Sequence, residues 1–144
     1  MKRTISLLLP LGLLLISRVL AADNPEVDKI QGKWECKQTD ENGRKLILTM
    51  EFKKDKLIFK IEGGLSIIAT ADVKLEKLGP FKTLTSHNIK FGSSEDSLQE
   101  SDEQFAHVYQ IDGDSLYITS NFDKERDRPP ALDIYRKVSS STST

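Results

Sequence analysis

Residues 109–118 read YQIDGDSLYI, two alternating apolar runs joined through a glycine between two aspartates. Core residues must face core residues in an antiparallel hairpin, so Ile111 is expected to pair with Leu116. That register leaves Gly113 and Asp114 as a two-residue loop, and glycine first is what a type II′ turn requires. A loop one residue longer would set apolar against polar side chains unless a bulge restored the pattern. The stretch therefore predicts a tight β-hairpin.

Asp112 and Asp114 also raise the question of a metal or catalytic site. A hard cation such as Ca²⁺ takes six or more oxygen ligands, and this stretch offers two carboxylates. Turn geometry accounts for both aspartates without a ligand. We assign Asp112, Gly113 and Asp114 a structural role in the turn.

The same period of two continues on both sides of this hairpin. Turn sequences rich in glycine, proline and charged residues, and the polar run 92–103, separate the apolar stretches. Regular short strands with tight turns predict an all-β fold, either an antiparallel sandwich or an eight-stranded antiparallel up-and-down barrel. Residues 23–32 precede the strands and predict a short N-terminal helix, because asparagine can cap it, proline suits its first position and glycine can end it. The eight candidate strands read KWECKQ, KLILTMEF, KLIFKIE, LSIIATADVKL, TLTSHNIKF, QFAHVYQI, SLYITS and ALDIYRKV.

The first 21 residues have the layout of a secretory signal peptide. A basic start is followed by the apolar run 5–16 and by small residues, which predicts cleavage after Ala21. We therefore expect one β domain over residues 22–138, a disordered tail over 139–144, and a periplasmic or extracellular location. No membrane insertion is expected after cleavage, because the apolar run is too short to span a bilayer comfortably.

Charge and cysteine content narrow the class of partner. Removal of residues 1–21 leaves 18 basic and 22 acidic residues, a net charge of −4. A mildly acidic exported domain has no electrostatic reason to bind nucleic acid or anionic lipid. Cys36 is the single cysteine, so the fold has no internal disulfide and depends on its core. We expect a monomer without a cofactor.

The stretch GKW, residues 32–34, resembles the Gly-x-Trp signature of the lipocalin superfamily. In that family the tryptophan closes one end of the barrel, and an arginine near the end of the last strand packs over it. Leu132, Ile134 and Arg136 are each two residues apart, so the period of two places all three side chains on the face expected to point inward. The resemblance implies that Arg136 covers Trp34 through a cation–π contact and closes the barrel.

A closer resemblance is to small exported lipocalin-like bacterial proteins of unknown function that are abundant in planctomycetes. It is carried by IQGKW at 30–34, YQIDGDSL at 109–116 and RP at 128–129. Members often have a cysteine after the strand that follows the DGD turn, whereas this chain has none there and leaves Cys36 without a disulfide partner. The resemblance implies the eight-stranded antiparallel up-and-down barrel over residues 22–138, and export, but no reaction.

The predicted barrel interior contains mostly large side chains, with two small ones on one strand. Ala69 and Ala71 leave room that must be filled from across the barrel or by a guest. A small apolar pocket would be lined by these alanines with Met50 and Phe59. A filled core is the alternative.

The two histidines are the strongest candidates for metal ligands. If Lys90 faces Gln104, then His87 faces His107, and two imidazoles could begin a zinc site. The spacing predicts no third ligand, so we assign no metal site. The sequence has no Gly-x-Ser-x-Gly, no His-Glu-x-x-His and no glycine-rich phosphate loop, and we assign no catalytic residues.

Two functional hypotheses remain open. The first is a non-enzymatic exported binding module that holds a small apolar ligand in the barrel. The second is a periplasmic or cell-surface interaction module with a filled barrel. Its contact surface would be an outer patch in which Ile58 faces Ile68, if Ile61 pairs with Leu65.

Overall fold

The computed structural model describes residues 25–121 and 129–139. The predicted signal peptide, residues 1–21, and the tail beyond residue 139 lie outside the described residues. A short helix is followed by strands, with a 3₁₀ turn at Glu95–Ser97 between the fifth and the sixth. The elements are α1 (Pro25–Ile30), β1 (Gly32–Thr39), β2 (Lys45–Lys53), β3 (Lys56–Glu62), β4 (Ile67–Leu78), β5 (Phe81–Gly92), β6 (Gln99–Ser101), β7 (Phe105–Asp112), β8 (Ser115–Ser120) and β9 (Ala131–Lys137).

The strands form one antiparallel sheet that closes on itself. Its order is β4-β3-β2-β1-β9-β8-β7-β5-β6, and β4 also pairs with β5. Eight strands therefore make an up-and-down barrel, and the short strand β6 adds to β5 beside it. The predicted lipocalin-like barrel with a short N-terminal helix is confirmed.

The two ends of the barrel differ in their connections. We call the end with the turns at 54–55, 79–80 and 113–114 the base, and the end with the connections 40–44 and 63–66 the mouth. Among the described residues, no helix combines the length and apolar character needed to cross a membrane.

The hairpin at 109–118 has the predicted register. Ile111 pairs with Leu116, and Asp112 pairs with Ser115. Gly113 has a φ of 54°, in the left-handed region that favours glycine. The loop is therefore the two-residue turn that the alternation predicts.

The base is filled by large apolar side chains and covered by α1. The Trp34 Nε1 donates to the Ile30 carbonyl at 2.8 Å, and this bond attaches the end of the helix to the core. Lys82 on β5 forms an ion pair with Glu26 of the helix at 2.8 Å. The largest fully buried side chains are Trp34, Tyr135, Phe52, Ile30, Leu84 and Leu116.

Strand β5 carries a bulge that changes which of its residues face inward. The pairing with β4 shifts between Thr70 and Asp72, and Asn88 has a φ of 51°. Asparagine tolerates this conformation better than most residues, and the Asn88 Nδ2 donates to Asp72 at 2.8 Å. Past the bulge, Ile89 is buried on the inner side.

Strand β9 presents the opposite face to the one expected. Leu132 and Ile134 are 57% and 42% exposed, whereas Tyr135 is 1% exposed and lies in the core. The expectation took the aliphatic side chains for the inner ones, but here the inner row is polar and aromatic.

The predicted closure by Arg136 is wrong for the same reason. Trp34 pairs with Lys137, whose Nζ lies 5.1 Å from the centre of the indole ring. Arg136 points outward, pairs with Glu35 and donates to the Ser115 hydroxyl. A lysine takes the place that the resemblance gave to the arginine.

The register of β3 with β4 also differs from the expectation. Ile61 pairs with Ile67, Leu65 is exposed in the loop, and Ile58 therefore faces Thr70 rather than Ile68. The loop is wider because Gly63 and Gly64 both have positive φ, at 111° and 118°. A Cβ on Gly63 would overlap the Lys45 carbonyl oxygen, so the close approach requires glycine.

Candidate ligand site inside the barrel

The residues predicted to line a pocket lie on three neighbouring strands. Met50 on β2 pairs with Phe59 on β3, and Phe59 pairs with Ala69 on β4. Ala71 lies one inward position closer to the base, opposite Leu57. Parity therefore brings the four predicted side chains to one inner wall, as the sequence indicated.

Exposure along this wall changes from base to mouth. Ala71 and Leu57 are buried, whereas Met50, Phe59 and Ala69 are half-buried although they face inward. Side chains that fill a barrel completely would lose nearly all contact with solvent. The same partial exposure is seen at the inward-facing residues Gln38, Leu46, Ile61, Ile67 and Asp133. The base of the interior is thus closed, and we call the part above it, where inward-facing side chains keep partial contact with solvent, the cup.

The inner surface next to the apolar strands is polar. The Gln38 Nε2 on β1 donates to Asp133 Oδ1 on β9 at 2.6 Å, and the Cys36 Sγ lies 3.8 Å from the same amide nitrogen. Gln38 pairs with Leu46, the first inward residue of β2. The polar pair and the apolar wall therefore adjoin on one continuous inner surface.

The thiol of Cys36 is not an activated nucleophile. Burial raises the pKa of Cys36, the Gln38 amide opposes that rise, and the negative charge of Asp133 adds to it. A raised pKa keeps the thiol protonated at neutral pH, and the thiolate is the reactive form. Cys36 contributes a small, weakly polar surface.

Two tyrosines at the base are also held in their neutral form. Burial raises the pKa of Tyr109 to about 12, and the charge of Glu26 adds to the effect. Burial raises the pKa of Tyr135 as well, followed in size by the charge of Asp133. Both phenols are therefore structural parts of the closed base at neutral pH.

The two histidines lie apart. β6 occupies the part of β5 that was expected to meet β7, so Lys90 pairs with Glu100 and not with Gln104. His107 consequently pairs with Leu84, whereas His87 pairs with Asp72. The His107 ring stacks on Phe105, with centroids 6.4 Å apart. Within residues 25–121 and 129–139, no group of three or more His, Cys, Asp or Glu side chains is placed to hold a metal ion.

The sequence predicts the inward direction of Gln38 but not that of Asp133. Gln38 alternates with Trp34 and Cys36, so its inward direction was predictable. Asp133 was hidden by its aliphatic neighbours Leu132 and Ile134, which suggested the wrong inner face. The missing signal was its polar partner Gln38 on the neighbouring strand, and this partner required the register of β9 with β1.

Compared with models of protein families, with curated proteins and with solved structures, the chain matches none.

Proposed function

We propose that this chain is an exported, non-enzymatic lipocalin-like protein that binds a small apolar ligand inside its barrel. The observation that carries the proposal is the set of half-buried apolar side chains Met50, Phe59 and Ala69 above a closed base. A concave apolar surface with a few polar groups at one end is the usual form of a small-molecule site.

Export is part of the proposal and rests on the basic start, apolar run and small residues of positions 1–21. Expression of the full chain in a bacterial host should yield an envelope or medium fraction whose N-terminus is Ala22. Recovery of the uncleaved chain in the cytoplasm would contradict it.

The binding site can be tested with a neutral apolar dye, N-phenyl-1-naphthylamine, whose emission rises in apolar surroundings. Wild-type protein should give a saturable increase. Ala69→Phe should abolish it, because the added ring occupies the space between Phe59 and Phe91, the two pairing partners of Ala69.

Thr70→Phe is the matched control, since Thr70 is the next residue on β4 and faces outward beside Ile58 and Lys90. It should bind the dye like the wild type. Circular dichroism should show that both variants keep the β fold. No saturable signal in the wild type, or equal binding by Ala69→Phe, would refute the ligand site.

The second candidate is an interaction module, and the outer face of β8 and β9 favours it. Tyr117 pairs with Ile134, and Thr119 pairs with Leu132, so two exposed aliphatic side chains lie beside an aromatic ring. The outer faces of β1 to β4 carry charged pairs instead, including Lys53 with Glu51 and Lys56 with Asp72. Exposed apolar patches of this kind are common at protein contacts.

Native mass spectrometry on protein purified from its own envelope distinguishes the two functions. A bound small molecule lost from Ala69→Phe supports the carrier. A bound protein of fixed stoichiometry that is retained by Ala69→Phe and lost from the double variant Leu132→Glu, Ile134→Glu supports the interaction module.

A further inference from the structure

We infer that the ligand is an amphiphile whose polar end is an ammonium or a similar hydrogen-bond donor, and that Asp133 receives this end near the mouth. The inference rests on the proposed function and narrows its ligand class. It implies that amphiphiles ending in a carboxylate, such as fatty acids, bind less well.

Asp133 is placed where a ligand in the cup would reach it. It faces inward on β9, opposite the buried Ile118 on β8 and one inward position above Tyr135. Its side chain keeps partial solvent exposure, as do those of Gln38 and Leu46 beside it. The carboxylate therefore borders the accessible upper interior and not the filled base.

The apolar wall begins next to this carboxylate. Asp133 accepts from Gln38, Gln38 pairs with Leu46, and Leu46 is followed on the inner side of β2 by Leu48 and Met50. Four residues of a strand span about 13 Å, which is the length of β2 from Leu46 to Met50. A ligand with one polar end and a short apolar body matches this arrangement.

The charges of the inner surface are divided between its two ends. At the base, Lys82 pairs with Glu26, and Lys137 lies over Trp34. At the mouth, Asp133 is the one Asp, Glu, Lys or Arg side chain on the inner side among the described residues. On the inner surface, the carboxylate of Asp133 and the two lysines of the base thus lie at opposite ends.

The described hydrogen bond to Asp133 comes from a neutral amide. A carboxylate can accept about four hydrogen bonds, so this one leaves capacity for a second donor. An ammonium would supply a charge-assisted bond, which is about twice as strong as a neutral one. A carboxylate in the same place would meet a like charge in a partly desolvated site.

Competition against N-phenyl-1-naphthylamine tests the inference with octylamine, octanol and octanoate at neutral pH and constant ionic strength. Octylamine should displace the dye from wild-type protein at a concentration at least about tenfold below that of octanoate, with octanol between them. Equal displacement by amine and carboxylate, or tighter binding of octanoate, would overturn the inference. The ranking of the three competitors is measured on wild-type protein alone.

Asp133→Asn removes the charge and keeps the size of the side chain. It should reduce the preference for octylamine over octanoate to within about threefold, mainly by weakening the amine. Asp112→Asn removes the same charge from the exposed turn at the base and should leave the preference unchanged. An unchanged preference in folded Asp133→Asn would show that Asp133 is only a structural partner of Gln38.

The outcomes separate this inference from the proposed function. If the dye binds the wild type but octylamine and octanoate displace it equally, the cup is a ligand site and the amine specificity is wrong. If the dye does not bind the wild type, both the ligand site and its specificity fail.

Discussion

Trp34 connects three parts of the molecule through one side chain. It is fully buried at the base, its Nε1 donates to the Ile30 carbonyl of α1, and Lys137 of β9 covers its ring. The hydrogen bond satisfies the indole N–H away from water, and a cation over the ring contributes about 0.5–1 kcal/mol at such a site. The residue therefore attaches both the helix and the last strand to β1.

The lysine and arginine at 136–137 can be compared directly, because Trp34 is the single tryptophan of the sequence. Lys137→Met keeps an apolar stem and removes the cation, so it should change the Trp34 emission and lower the free energy of unfolding by about 0.5–1 kcal/mol. Arg136→Met is the control and should leave the emission unchanged. Urea unfolding followed by tryptophan fluorescence measures both. A larger emission change in Arg136→Met would restore the closure that the resemblance implied.

The hairpin between β7 and β8 is the element whose sequence and structure agree best. Strict alternation fixes the register there, and the loop contains a glycine at the position that needs positive φ. Its backbone also supports the end of the barrel, because the Lys137 N–H donates to the Asp114 carbonyl at 2.9 Å. The turn therefore contributes to the placement of β9 as well as to its own two strands.

Substitution of Gly113 should show the cost of its conformation. Gly113→Ala should lower the free energy of unfolding by about 1 kcal/mol, because alanine adopts positive φ with strain while the space around the position is open. Gly113→Asn should cost less, since asparagine tolerates the left-handed region. Chemical denaturation of the two variants gives the comparison. Equal losses of unfolding free energy in the two variants would mean that the positive φ of Gly113 is not the cause of the destabilisation.

The alternation of apolar and polar residues predicts which side chains of a strand point inward. These predicted directions were correct for β1 to β4, so the alternating pattern alone places Met50, Phe59 and Ala69 on one wall. It failed at β9, where aliphatic residues face solvent, and the failure displaced Arg136 and hid Asp133. Apolar character is a poor guide to direction on a strand whose inner row is polar.

Pairings between strands were predicted less well than the strands themselves. The glycine pair at 63–64 widened one loop, and the 3₁₀ turn with β6 altered the register of β5 with β7. Such features depend on backbone conformations and on long-range pairing, which the side-chain pattern does not encode. Strand number and spacing left a sandwich or a barrel open, and the resemblance favoured the closed barrel. The partner of Trp34 required the observed register.

At the scale of the whole molecule, the seam between the first and last strands is short. β1 pairs with β2 along its full length, Gly32–Thr39. With β9 it forms two residue pairs, Trp34 with Lys137 and Glu35 with Arg136. A backbone bond from the Val138 N–H to the Lys33 carbonyl at 2.8 Å extends the seam at the base. Toward the mouth, the side-chain bond between Gln38 and Asp133 joins the same two strands.

This seam should open at a lower free energy than the rest of the barrel. Native-state hydrogen exchange is the measurement, and the amides of β1 that face β9 should exchange faster than those of β4 that face β5. Asp133→Ala should accelerate exchange at the seam by removing the side-chain bond, and Asp112→Ala should not. Uniform protection of β1 and β4 would contradict a weak seam.

Each of the eight barrel strands has a neighbour on both sides within the described residues. If the barrel opens between β1 and β9, both strands become edge strands, and each offers unpaired N–H and C=O groups to another chain. Misassembly of this protein under stress should therefore start with strands β1 and β9, by exchange between molecules or by stacking of their borders. Stabilising the pairing between β1 and β9 should therefore reduce such misassembly more than enlarging the core would.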